Sequence, residues 1–67
     1  MAQTKDIISE LIKIRQEKKL TQHVVYCDTG IHVGRLESCK SDIKISTLVS
    51  LLQYYNINMR EFLFRIL

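Results

Sequence analysis

The chain has 67 residues, of which 46% are hydrophobic and 25% charged, and its formal net charge is +3. This length indicates a single domain over residues 1–67, and the ordinary composition excludes a disordered or fibrous protein. No apolar run approaches the roughly 20 residues that cross a bilayer, and the start of the chain lacks the apolar core of a signal peptide, so we expect a cytoplasmic protein without membrane contact. The two cysteines are too few for a disulfide framework and are expected to be thiols.

Apolar residues recur at helical spacing in the first half of the chain. They predict a first helix over about residues 5–18 and a second over residues 22–28. Thr21 is expected to cap the second helix and Gly30 to end it with a positive φ. Val24 and Val25 are expected to face inward. A short third helix is predicted over residues 31–39.

The second half of the chain predicts two more helices. Ser46 has the position of an N-cap for the fourth helix, and Asn56 suits the left-handed residue after its end. Asn58 and Glu61 have the spacing of a capping box at the start of the fifth helix. Five helices with short links and no strand pattern predict a small all-α domain.

Four stretches of the sequence resemble one family of regulators. They are "IKIRQEKKLTQ" (12–22), "TGI" (29–31), "RLES" (35–38) and "ISTLVSLLQYYNINMREFL" (45–63). In this order they are similar to the Cro/CI-type (XRE-like) helix-turn-helix family, over about residues 7–63. The resemblance implies a compact five-helix, lambda repressor-like domain. It also implies a sequence-specific DNA-binding transcriptional regulator, a repressor, which binds operator DNA as a homodimer through the major groove.

The chain departs from the family in three places. About three residues are missing before "RLE", where members have the first turn of the recognition helix. Tyr26 replaces a common alanine and is expected to fill space that the shortened helix leaves. Cys39 replaces a common glycine. These departures keep a second hypothesis open, in which the fold is an antitoxin-like or adaptor module that binds proteins and does not read DNA sequence.

The resemblance implies DNA contacts for residues on the second and third helices and just after them. An arginine at position 35 could bind guanine through its planar fork, and lysines bind phosphate by charge. The alternatives are a surface ion pair for Arg35 and a turn cap for His32. Gly34 suggests either close approach to DNA or a loosely formed turn. The expected contact residues are Gln22, His32, Arg35, Ser38, Lys40 and Lys44.

The resemblance also implies a salt bridge between Arg15 and Glu37, which would orient the third helix. The last helix carries more apolar residues than one buried face requires, so a homodimer interface is predicted at Tyr55, Phe64 and Leu67. The alternative is that these residues close a small core.

A metal site and an enzyme are the remaining hypotheses. Two histidines and two cysteines (His23, His32, Cys27 and Cys39) have the chemistry of zinc ligands, but no close Cys-x₂-Cys pair is present. We therefore expect no metal and no cofactor. The sequence has no glycine-rich phosphate loop and no paired carboxylates on one face, so we expect neither enzymatic activity nor a small-molecule ligand.

Overall fold

A computed structural model of the protein describes residues 4–39 and 42–67. Within these ranges the chain is all helical, as predicted, and its radius of gyration of 10.9 Å is that of a compact chain of this length. The helices are α1 (Thr4–Glu17), α2 (Gln22–Thr29), α3 (Val33–Cys39), α4 (Ile45–Tyr54) and α5 (Met59–Ile66). None of the described helices combines the length and apolarity that a bilayer crossing requires.

The helix α1 forms one wall of the core. Its inner face buries Ile8, Leu11 and Ile14, which follow the predicted helical period. It packs against α3 on one side and against α5 on the other. The amphipathic pattern of α1 therefore brings the third and fifth helices of the chain onto one support.

Both ends of α2 have the predicted caps. The Thr21 hydroxyl accepts from the amide of Val24 at 3.1 Å, and Gly30, with φ of 76°, donates its amide to the Tyr26 carbonyl at 2.8 Å. The hydroxyl of Thr29 donates to the Val25 carbonyl and accepts from the Ile31 amide. These bonds satisfy the backbone within the turn, so α3 can begin only three residues after Gly30.

The structure corrects two details of the α2–α3 region. Val24 is exposed, and Val25 is the buried residue of α2. The third helix starts at Val33, two residues later than predicted, while Ile31 packs against the core ahead of it. A two-turn helix presents so few positions that neighbouring valines cannot be assigned to a face by period alone.

The caps of α4 and α5 agree with the sequence in part. The predicted N-cap Ser46 lies inside α4, because the helix begins at Ile45 after an extended Lys44 that makes no side-chain cap bond. Asn56 has the predicted left-handed conformation, with φ of 60°. The Asn58 side chain accepts from the Glu61 amide at 2.7 Å, as expected of a capping residue.

An arginine joins α5 to α1. Arg65 Nε lies 2.6 Å from Oε2 of Glu10, and Nη2 lies 2.8 Å from Oε2 of Glu17. The hydrogen bond to Glu10, and to a smaller extent the bonds to Glu17, raise the pKa of Arg65. Glu10 is almost fully buried, and the guanidinium is its ion-pair partner. The contact holds the last helix of the chain against the first.

The two adjacent tyrosines at the end of α4 have different environments. Tyr55 is 1% exposed and belongs to the core, so its prediction as a dimer-interface residue is wrong. Tyr54 is partly exposed, and its hydroxyl donates to Oδ2 of Asp28 at 2.6 Å, which links α4 to α2. This bond is the main cause of a raised pKa for Tyr54. The apolar ring of Tyr55 is thus used for packing and the hydroxyl of Tyr54 for a link between helices.

The burial of Tyr55 predicts a loss of stability in alkaline solution. Burial is the larger cause, and the negative charge of Glu37 the smaller, of a rise in the pKa of Tyr55 from 10.0 to about 12. Since the neutral phenol is favoured in the fold, its contribution is complete below pH 10 and is lost as the pH rises toward 12. We expect the urea midpoint to fall over this interval and Tyr55→Phe to reduce that fall. An equal fall in Tyr55→Phe and in the exposed control Tyr26→Phe would contradict this reading.

Candidate nucleic-acid interface

The predicted DNA contacts on α2 and α3 lie on neighbouring parts of the surface. Gln22 opens α2, His32 immediately precedes α3, and Arg35 lies within α3; all three are exposed. Gln22 and His32 also line one shallow depression of about 280 Å³. Its remaining lining residues are His23, Tyr26, Val33 and Gly34. The structure thus brings residues ten positions apart in the chain onto one local surface.

Beneath this surface lies the expected ion pair between α1 and α3. Arg15 Nε donates to Oε2 of Glu37 at 2.8 Å, and Nη2 donates to Oε1 at 3.1 Å. The third nitrogen, Nη1, donates to the Leu20 carbonyl at 2.8 Å. Both side chains are largely buried. A two-point arginine–carboxylate contact restricts rotation as well as distance, so it sets the orientation of α3 on α1.

Gln22 belongs to the same network. Its Nε2 donates to Oε1 of Glu37 at 2.8 Å, so the Glu37 carboxylate accepts three N–H groups from two other helices. The sequence does not predict this contact, because the two residues are 15 positions apart and no local pattern joins them. A DNA contact by Gln22 stays a prediction, and in this structure its amide donor is committed to Glu37.

Gly34 is explained by the position of Gln22. A Cβ at position 34 would lie 3.2 Å from Gln22 Oε1, which is tighter than ordinary contact. Gly34 lies inside α3, so the reading of this residue as part of a loose turn is wrong. The missing side chain makes room for the amide that binds Glu37. Whether DNA also approaches this glycine stays a prediction.

Tyr26 and His32 form an aromatic pair across the turn. Their ring centroids are 4.3 Å apart, and the ring planes are tilted by 30°. Tyr26 comes from α2, and the carbonyl of His32 accepts the Leu36 amide of α3 at 3.1 Å. The large side chain expected to fill space at position 26 therefore packs on His32 at the surface. The sequence does not predict this pair, since no motif contains both residues.

The other predicted contacts differ in what the structure shows. Arg35 makes no ion pair within residues 4–39 and 42–67, so the alternative of a surface salt bridge finds no support there. Ser38 donates its hydroxyl to the Gly34 carbonyl at 2.8 Å. Lys44 is exposed just before α4. Lys40 lies outside the described residues. DNA contact stays a prediction for all four.

The zinc hypothesis gains little from the structure. His23 Nε2 lies 3.4 Å from Sγ of Cys27, which is an exposed thiol. His32 instead stacks on Tyr26, and the side chain of Cys39 lies outside the described part. Among the described residues, no group of three or more histidine, cysteine or carboxylate side chains is placed to hold a metal ion.

In comparisons with known proteins, no family model matches the chain, and no curated protein and no solved structure shows significant similarity to it. The likeness to Cro/CI-type regulators therefore rests on the sequence stretches quoted above.

The burial of the ion pair predicts a large effect of Glu37→Ala. Removing the carboxylate leaves the buried guanidinium of Arg15 without its counter-ion, which costs about 3–5 kcal/mol in buried pairs. We expect a clear drop in the urea unfolding midpoint. Glu17→Ala, which removes a mostly exposed carboxylate, should cost about 0.2–1 kcal/mol. Equal effects of the two variants would show that the Arg15–Glu37 contact has no special structural role.

Proposed function

We propose that this protein is a sequence-specific DNA-binding transcriptional regulator, a repressor that binds operator DNA as a homodimer through the major groove. One observation carries the proposal. Arg35 is exposed on a short helix and makes no ion pair in the described part, while the ion pair of Glu37 on the same helix sets the orientation of that helix. An oriented, uncompensated arginine fork is suited to the two acceptors of guanine in the major groove.

The arrangement of α2 and α3 supports a helix-turn-helix motif. An eight-residue helix with a side-chain N-cap is followed by a left-handed glycine and, after two more residues, by a seven-residue helix packed against it. This order fits the motif, in which the second helix enters the major groove. An α-helix with its side chains is about 10–12 Å across, which matches the major-groove width of about 12 Å. The short α3 therefore offers few contacts but fits the groove.

The pairing of charges favours a polyanion partner. Arg15 and Arg65 pair with the carboxylates of Glu10, Glu17 and Glu37, so three of the seven acidic side chains already have a cationic partner within the chain. Among the described basic residues from position 13 to position 44, five are exposed: Lys13, Lys18, Lys19, Arg35 and Lys44. Exposed lysines of this kind supply phosphate contacts and a steep dependence of affinity on salt.

The outer face of α5 supports the homodimer. Phe64 is 77% exposed, and Leu63 and Leu67 are exposed beside it. Together with Arg60 they line an open depression of about 370 Å³. A second copy packed on this face would bury the apolar side chains and place two copies of α3 about 34 Å apart on a palindromic site. Tyr55, which lies in the core, takes no part in this interface.

The same face of α5 favours the second hypothesis, a protein-interaction module without sequence reading. An exposed apolar surface fits a different protein as well as a second copy. The two hypotheses differ in what they predict for DNA, since only a regulator discriminates between duplex sequences.

Selection of sites from a random duplex pool tests the proposal. The selected duplex should bind at least about 10³-fold more tightly than random duplex, and the logarithm of affinity should fall linearly with that of salt. Arg35→Lys keeps the charge but loses the fork, so we expect a loss of about 5- to 100-fold on the selected duplex and little change on random duplex. Arg60→Lys changes an exposed arginine on α5 and is the matched control; because Arg60 lines the proposed dimer face, the mass of this variant is first shown by sedimentation to equal that of the wild type.

Two results would contradict the proposal. A wild-type protein that binds all duplexes alike would refute sequence reading and support the interaction module. A selected site that Arg35→Lys and Arg60→Lys bind with equal affinity would remove Arg35 from the contact surface.

The proposed dimer predicts a change of mass for Phe64→Glu. A carboxylate on the exposed α5 face would lose its water in the dimer, at a cost that one ion pair with Arg60 does not repay, so the variant should sediment as a monomer. Ile45→Glu changes an apolar side chain of α4 that is 72% exposed, and it should sediment like the wild type. Analytical ultracentrifugation measures both. A wild-type protein that is already monomeric at high concentration would contradict the dimer.

A further inference from the structure

We infer that Tyr26 and His32 form a second reading element beside Arg35, in which the Tyr26 ring contacts the methyl group of a thymine in the major groove. The inference rests on the proposed function and deepens it, because it assigns a base class to a residue outside α3. The two rings stack on each other, with centroids 4.3 Å apart.

The pair is held from both of its helices. The carbonyl of Tyr26 accepts the Gly30 amide at 2.8 Å, and that of His32 accepts the Leu36 amide at 3.1 Å. Each ring therefore projects from a backbone segment fixed by a helix end. Rings that are already ordered lose little conformational freedom on binding, which favours their use as contacts.

The pair is continuous with the exposed side of α3. His32 and Arg35 are three positions apart, and the bond between the His32 carbonyl and the Leu36 amide gives this stretch helical spacing. Residues at this spacing lie side by side on a helix surface. Tyr26 extends the row from α3 onto α2. The row of exposed side chains formed by Tyr26, His32 and Arg35 thus extends beyond α3 itself.

The surface beside the rings suits an apolar contact. The depression of about 280 Å³ next to them is open and is lined by both rings together with Val33 and Gly34. In the major groove the apolar group that distinguishes one base is the methyl of thymine. An aromatic ring at the rim of a depression can pack on that methyl while the His32 ring nitrogen bonds to a neighbouring base edge.

A purely structural role does not account for Tyr26. Its side chain is 41% exposed, and it is not part of the buried core cluster. Replacing it with alanine removes a surface stack and leaves a residue of higher helix propensity. We therefore expect Tyr26→Ala to fold with a nearly unchanged unfolding midpoint, which separates a change in binding from a change in stability.

The test compares sites selected from a random duplex pool by the wild type, by Tyr26→Ala and by the control Val24→Ala, an α2 residue that is 40% exposed. Tyr26→Ala should lose preference at one or two adjacent positions, at least one of them an A·T pair, with an unchanged salt slope. Deoxyuridine in place of the thymine removes only the methyl. It should weaken the wild type about 3- to 5-fold and leave Tyr26→Ala unaffected.

Each other outcome overturns the inference in a recognisable way. If Tyr26→Ala selects the same site as the wild type with equal strength, or if uracil weakens both proteins alike, Tyr26 does not read thymine. If Tyr26→Ala binds every duplex more weakly and has a lower unfolding midpoint, its role is structural. If the wild type itself shows no sequence preference, the proposed function fails and this inference fails with it.

Discussion

The carboxylate of Glu37 is the point on which the arrangement of the first three helices depends. Seven residues form too short a helix to be stable alone, so α3 takes its position from its contacts. Val33 and Leu36 pack it against the core, but the hydrophobic effect has no directional preference. Three N–H groups from Arg15 and Gln22 converge on one carboxylate and supply directional contacts. The exposed side of α3 is therefore oriented by an ionic contact beneath it.

Most of the fold follows from local rules that the sequence displays. Thr21 and Asn58 cap their helices because a short polar side chain before an apolar period satisfies the free amides. Ser46 obeys the same rule yet lies inside α4, since the helix begins two residues earlier than predicted, at Ile45, without a side-chain cap. The predicted environments of Val24 and Tyr55 are wrong. Val25 is buried and Val24 exposed, whereas Tyr55 is buried and the adjacent Tyr54 partly exposed. The choice between two adjacent residues of one type depends on the packing of other helices.

The candidate site was less accessible to sequence reasoning than the fold. The resemblance supplied Arg15 and Glu37 as a pair, and the structure contains that pair. It did not supply the Gln22 bond to Glu37 or the stack of Tyr26 on His32. Both contacts arise where the chain departs from the family pattern or where residues far apart meet, so no spacing rule describes them. A helix as short as α3 limits which side chains can touch, and the contacts it makes depend on the three-dimensional arrangement of its neighbours.

Because Arg65 pairs with carboxylates of α1, that helix is joined by ion pairs to both α3 and α5. This one helix supplies both carboxylates that bind α5 and the guanidinium that binds α3. Arg15 and Glu17 lie two residues apart at the end of α1, so the contacts to α3 and α5 are coupled within one turn of that helix. If two subunits pair at α5, this coupling restricts any change in the distance between their α3 helices. Inserting one base pair between the halves of an operator turns the second half by about 35° around the duplex axis, and such a frame could not follow it.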